Sequence, residues 1–308
     1  MKKGMIFLPP RFYKRFTDHR RSLFQLISKE FGFPFCVRNS FGTLPADLKV
    51  ILLYSNPHTE TELMDLENIP NGTKVIWFCE DLHARGVLRN FSKGFVRADK
   101  IIGSNMIAFR QRFPQFVDKF ISFKKYFATD KRYTSLAYNT NPKMKCLLTG
   151  ASSAFYPLRI YLKSELVKDS TLRKFVDVNW HLSPKRPGEI APVYGDEYAK
   201  RLNSYFCGVT CSTKNHYAIS KYAEIPAAGS LLLADQMGGS DEMGLIPGKH
   251  FVPITEKTVV TQIKAVLKNP AEYEAIRKRG MEYVRAHHSI KNRFEQLKEI
   301  IQQELDND

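Results

Sequence analysis

Short apolar runs alternate with stretches of helical period from one end of the chain to the other, the mark of parallel α/β domains. In the first half the pattern predicts strands at Gly4–Leu8, Val50–Ser55, Lys74–Cys79 and Lys100–Gly103. Between them fall helices at Asp18–Phe31, closed by Gly32, around Thr61–Glu67, near Arg85–Val96 and at Asn105–Phe113. Together these make a slightly reduced Rossmann-like domain. Residues Phe127 to Lys143 are polar, rich in turn formers and interrupted by Asn139-Thr-Asn-Pro142, so they read as a linker. A second series follows, with strands at Met144–Thr149, Phe175–Trp180, Phe206–Ser212, Ser230–Ala234 and, shorter, His250–Ile254. Its helices are Tyr156–Val167, Asp196–Tyr205, Lys221–Ala228 and Lys257–Lys268. Two more helices finish the chain. One starts at Asn269-Pro270, an N-cap with proline in the first helical position, and the other follows Ser289 with Ile290, Phe294, Leu297, Ile301 and Leu305 on one face.

A length of 308 residues suits two domains, and 43% apolar against 25% charged residues places the chain among globular proteins. The apolar run after Met1-Lys-Lys-Gly4 ends at Pro9-Pro10, too short for a signal core or a membrane span, so a cytoplasmic location is expected. Five scattered cysteines, Cys36, Cys79, Cys146, Cys207 and Cys211, lack zinc-site spacing and read as reduced core residues. The net charge of +16 attracts anions, but it is spread over the chain, with only mild runs such as Lys14–Arg21, Lys119–Lys125 and Arg277–Arg279. That spread favours a solvated surface with an anionic substrate pocket over specific nucleic-acid binding. Weak peripheral contact with an anionic membrane stays open. No Asp-x-Asp ends an apolar strand and no His/Cys cluster occurs, so no metal site is expected.

Ligands of doubly wound sheets sit beyond the carboxyl ends of the strands. The loop Leu148–Arg159 carries Gly150, Ser152 and Tyr156 ahead of a helix with Arg159 one turn in, an arrangement that suits a diphosphate on open backbone N–H groups, or is an ordinary turn with a surface arginine. The loop Thr213–Gly229 holds His216, Tyr217, Lys221 and Glu224. Pro226 is tolerated only near a helix start, which puts the start at Lys221 or Tyr222 and Glu224 in the first turn, where a carboxylate can accept vicinal ribose hydroxyls or simply favour the helix dipole. In the first half, Glu80-Asp81-Leu82-His83 follows a buried strand. Asp81 and His83 there are suited to general-base work, or are a helix cap and a surface histidine. Asn56-Pro57-His58 ends the preceding strand and reads as a turn.

Lys221, Glu224, Ala227-Ala228-Gly229, Asp235, Pro247-Gly248-Lys249, Asn269-Pro270 and His288-Ser289 follow one another in a pattern that resembles the C-terminal domain of CgeB-like glycosyltransferases. Gly150, Tyr156-Pro-Leu-Arg159 and Gly195-Asp-Glu-Tyr198 extend the likeness over the second half. The resemblance implies the α/β class in its GT-B form, two Rossmann-like domains facing across a cleft. Residues 1–140 would bind the acceptor, 141–288 the nucleotide sugar, and 289–308 would form a helix packing back on the first domain. It implies sugar transfer from a nucleotide-diphosphate sugar to a glycan or other hydroxyl acceptor, without a metal or cofactor. Gly150, Ser152, Tyr156, Arg159, His216, Tyr217, Lys221 and Glu224 would be donor-binding, and Asp81 and His83 catalytic. Related GT-B families carry a further glutamate eight positions before the ribose-binding one, and here His216 stands in its place. A non-catalytic nucleotide- or glycan-binding module on the same fold is the alternative.

Overall fold

The computed structural model of the protein describes residues 4–10, 18–54, 66–79, 88–123, 130–151, 153–179, 195–236 and 243–306. It divides into two compact units, Met1–Lys125 with Ile290–Asp308, and Tyr126–Ser289.

The first unit is built on six parallel strands, β1 Gly4–Leu8, β2 Phe35–Val37, β3 Val50–Tyr54, β4 Lys74–Phe78, β5 Lys100–Gly103 and β6 Phe120–Ser122, in the order β2-β1-β3-β4-β5-β6. β1 and β3 are buried along their whole length, as strands covered on both faces must be, and this is why they read as unbroken apolar runs. The edge strands β2 and β6 are three residues each, too short to leave a periodic signal, and the sequence gives no warning of them. Helices α1 Asp18–Phe31, α2 Leu88–Arg97 and α3 Met106–Arg112 alternate with the strands. Asn105 caps α3 by accepting the Ala108 N–H at 2.6 Å.

The second unit opens with α4 Lys131–Thr134 and continues through β7 Lys143–Thr149, α5 Pro157–Lys168, β8 Val176–Asn179, α6 Gly195–Asn203, β9 Tyr205–Val209, α7 Lys221–Ala227, β10 Leu231–Ala234, β11 Val252–Pro253, α8 Val259–Lys268 and α9 Pro270–His287. Its five strands are parallel in the order β11-β10-β9-β7-β8.

Two expectations fail here for one reason. The stretch read as a linker is, from residue 130 to 142, an integral part of the second unit, because a buried and a half-buried arginine satisfy its main chain. Arg277, 1% exposed, donates to the carbonyls of Asn139 (2.9 Å) and Gly229 (2.7 Å) and stacks on the Tyr138 ring. Arg285 donates to the carbonyls of Leu136 (2.8 Å), Tyr133 (3.0 Å) and Ala227 (2.9 Å). Arg277, counted above as solvated charge, is thus a core strut, and the polar segment is ordered by charge-assisted hydrogen bonds. Asn269 makes no side-chain cap, so α9 starts on Pro270 alone. The last helix, α10 Ile290–Asp306, returns to the first unit. Leu297 and Ile301 lie in one buried cluster with Ile6, Leu8, Leu23, Phe24 and Val50.

Candidate functional site

In the second sheet the chain leaves β7 for β8 on one side and then crosses to β9 on the other. The loops that follow β7 and β9 therefore diverge, opening the crevice where ligands of such sheets bind. The two loops are joined by the Lys214 N–H donating to the Phe155 carbonyl at 2.8 Å. Asp235, at the end of β10, braces the second loop from beneath. It accepts from the Ser212 N–H (2.7 Å), the Ser212 hydroxyl (2.6 Å) and the Tyr222 hydroxyl (2.5 Å).

Two cations converge on the first residue after β7. Gly150 has φ +111°, and a Cβ placed on it would lie 2.5 Å from Arg159 Nη1 and 2.8 Å from Lys221 Cε. Only glycine fits between them. Arg159, 1% exposed, donates from Nη1 to the Ala151 carbonyl (3.2 Å) and from Nη2 to Thr210 Oγ1 (2.8 Å), with its guanidinium 4.2 Å from the Tyr156 ring centroid. Its Nε is buried without a partner, and among the described residues no carboxylate lies within ion-pair distance of it. Lys221, 6% exposed, donates to Tyr198 Oη at 3.1 Å and lies 3.5 Å from Glu224 Oε2. Burial opposes the Lys221 charge, Tyr198 and Glu224 favour it, and the balance pushes its pKa upward. Of these two buried cations only Lys221 faces a carboxylate among the described residues, and an uncompensated buried charge costs several kcal/mol. Among the described residues the crevice carries positive charge in excess.

The structure therefore brings Gly150, Tyr156, Arg159, Lys221 and Glu224 together. α7 begins at Lys221, as Pro226 requires, with Glu224 in its first turn. The Glu224 Oε2 atom is buried and makes no hydrogen bond, which leaves an acceptor beside the cations. His216 is exposed at φ +57°, a left-handed backbone unusual for a non-glycine residue, in a turn closed by the Thr213 N–H to Tyr217 carbonyl bond (3.1 Å). Tyr217 is buried. Ser152, Asp81, His83 and Asn56–His58 lie outside the described residues.

The first turn of α5 adds little to the open N–H groups expected of the loop before it, where Ser152 lies outside the described residues. Pro157 has none to offer, and the Cys211 thiol lies against the N–H groups of Leu158 and Arg159. Burial raises that thiol to about 11, so it stays protonated. The positive charge at this crevice comes from the side chains of Arg159 and Lys221. Several residues of the family-like pattern are structural: Gly248 turns the chain at φ +73°, and His288 Nε2 bonds the Met243 carbonyl at 2.8 Å. Thr149 and Thr210, which meet Tyr198 and Arg159 only through the fold, carry no local signal, and Tyr198, part of the family-like pattern, gives no hint there of its contact with Lys221.

Two α/β units, each on a parallel sheet with its own switch point, define the fold of GT-B glycosyltransferases. An alpha-glucosyltransferase in complex with UDP and a mismatched 13-mer DNA superposes with TM-score 0.65 at 14% identity, covering 97% of this chain and 99% of that one. The Anabaena protein HepE in complex with UDP gives 0.62 at 10% identity (98% and 100%), and a glycosyltransferase from Rickettsia africae 0.60 at 11% (99% and 99%). Residues 147–299 match the model of the glycosyl transferase-like family, so the crevice between β7 and β9 lies in the matched segment. No curated protein sequence matches this chain significantly.

Proposed function

We propose that the second unit binds the diphosphate of a nucleotide sugar and that the protein transfers the sugar to a hydroxyl-bearing acceptor, a glycan first among them. The observation that carries this reading is the buried Arg159 guanidinium, without a counter-ion among the described residues, beside Lys221 at the Gly150 turn. A diphosphate leaving group gains negative charge as the glycosidic bond breaks. Fixed cations in a water-poor site stabilise that change with little reorganisation, supplying charge neutralisation that a divalent ion provides in other enzymes. Glu224 would accept ribose hydroxyls through the Oε2 atom left without a hydrogen bond. His216, Tyr217, Ser152 and Tyr156 would line the sugar and phosphate. The first unit would bind the acceptor, with Asp81 or His83 taking its proton.

The test is calorimetric titration of the full chain and of Arg159→Ala with nucleoside diphosphates and their parent nucleosides. Arg159→Ala should weaken the diphosphate by about 10- to 100-fold, the worth of a charge-assisted hydrogen bond, and the nucleoside little. Equal losses for both ligands would rule out a phosphate contact. Turnover should then be followed with the preferred nucleotide sugar over a panel of glycans. Double-stranded DNA belongs in that panel, because an enzyme of like fold is seen bound to it. Tight diphosphate binding with no transfer to any acceptor or to water would favour a non-catalytic module.

A further inference from the structure

Lys221 reaches the Gly150 turn through the protein interior, and what steers it is a tyrosine from another helix. Tyr198, on α6, is 5% exposed; its hydroxyl lies 3.1 Å from Lys221 Nζ and 3.2 Å from Thr149 Oγ1, and Nζ sits 4.9 Å from its ring centroid. An ammonium has only protons to give, so the Tyr198 oxygen accepts from Lys221, and the same hydroxyl shares a hydrogen bond with that of Thr149. This ties the ammonium, through two hydroxyls, to the last residue of β7. A second Lys221 proton faces Glu224 Oε2 at 3.5 Å. The third is left for a ligand at Gly150.

We propose that Tyr198 is a positioning residue for the donor diphosphate, acting through Lys221: its hydroxyl holds the ammonium against the Gly150 turn. This rests on the donor reading above. A flexible four-carbon side chain would otherwise spread over several rotamers, and the site would spend binding energy on gathering it in. The Tyr198 hydroxyl spends that energy during folding instead. The phenol suits the task because it stays neutral: burial raises its pKa, and although Lys221 acts to lower it the net direction is upward. A carboxylate in its place would neutralise Lys221 and cancel the attraction for phosphate.

The deciding variant is Tyr198→Phe, which keeps the ring among Ala199, Leu202 and Tyr222 and removes only the acceptor. The full chain is titrated with the nucleoside diphosphate that the wild type binds best, with its parent nucleoside and with inorganic pyrophosphate. Diphosphate and pyrophosphate should each weaken by about 5- to 20-fold, and the nucleoside by less than twofold, whatever the lost buried hydrogen bond costs in melting temperature. Thr149→Val, which removes one hydrogen bond from the Tyr198 hydroxyl, should give the same selectivity with a smaller loss, and decides the matter should Tyr198→Phe fail to fold. Affinity for diphosphate within twofold of wild type overturns the proposal, as do equal losses for diphosphate and nucleoside, which mark a packing defect. A wild-type chain that binds no nucleoside diphosphate sinks the donor reading itself, a different result from a wild type that binds and a variant that binds as well.

Discussion

Gly150→Ala isolates the geometry of the anion crevice, since it adds one methyl group and removes no charge. Two effects act on it. At φ +111° an L residue is strained, which costs on the order of 1–3 kcal/mol. The new methyl would also stand 2.5 Å from Arg159 Nη1 and 2.8 Å from Lys221 Cε, closer than real Cβ contacts, so both cations have to retreat. Loss of one charge-assisted hydrogen bond to a phosphate is worth about 1.5–3 kcal/mol, or roughly 10- to 150-fold in affinity. The strain alone should lower the melting temperature of the second unit by roughly 4–8 °C for 2 kcal/mol. Calorimetric titration with a nucleoside diphosphate and thermal melting of the same preparation read the two effects separately. A variant that melts lower yet binds diphosphate as the wild type does would refute the reasoning, because Gly150 would then serve only the turn.

Glu224→Ala should weaken a nucleoside and its diphosphate by similar factors, about tenfold; wild-type protein that binds a 2′-deoxynucleoside and its ribo form equally would show that the carboxylate does not hold the ribose. Asp81→Ala and His83→Ala should depress turnover with diphosphate affinity nearly intact, and an unchanged acid limb of the pH–rate profile in His83→Ala would remove the histidine from the chemistry. Burial lowers the pKa of His250, whose Nδ1 accepts the Ile246 N–H at 3.1 Å, and the positive neighbours Lys249 and Arg279 add to the shift. The unfolded chain then binds the proton more readily, so the protein should lose stability as pH falls below about 6.5. In denaturant melts His250→Gln should flatten that slope, and an identical slope would shift the cause elsewhere. Arg277→Met strands the carbonyls of Gly229 and Asn139 and should cost about 2–4 kcal/mol in the same assay.

Legibility followed how local each cause is. β1, β5 and α1 have the bounds that the sequence predicts, because each is an apolar or periodic run stopped by its own proline, glycine or turn. The start of α7 was readable from Pro226 by steric argument alone. Arg159 and Lys221 were legible as candidates because a glycine-led loop and a helix start mark where ligands bind. Their burial was not, since it comes from Thr149, Tyr198 and Thr210, brought in by neighbouring strands and α6. The segment from 130 to 142 misled for the same reason: its polar residues look solvated until Arg277 and Arg285, more than a hundred positions on, are seen to hold them. Composition records charge but not whether a charge faces water.

The return of α10 to the first unit bears on the order in which the protein is made. Leu297 and Ile301 complete the cluster around Ile6, Leu8 and Phe24, so the sheet that a ribosome delivers first stays unfinished until nearly three hundred residues have emerged. The second unit, continuous in sequence, has all its contacts to hand earlier. Nascent chains halted after Ser289 should therefore show a protease-resistant second half and a cleavable first half, the N-terminal sheet waiting on the last helix to be synthesised.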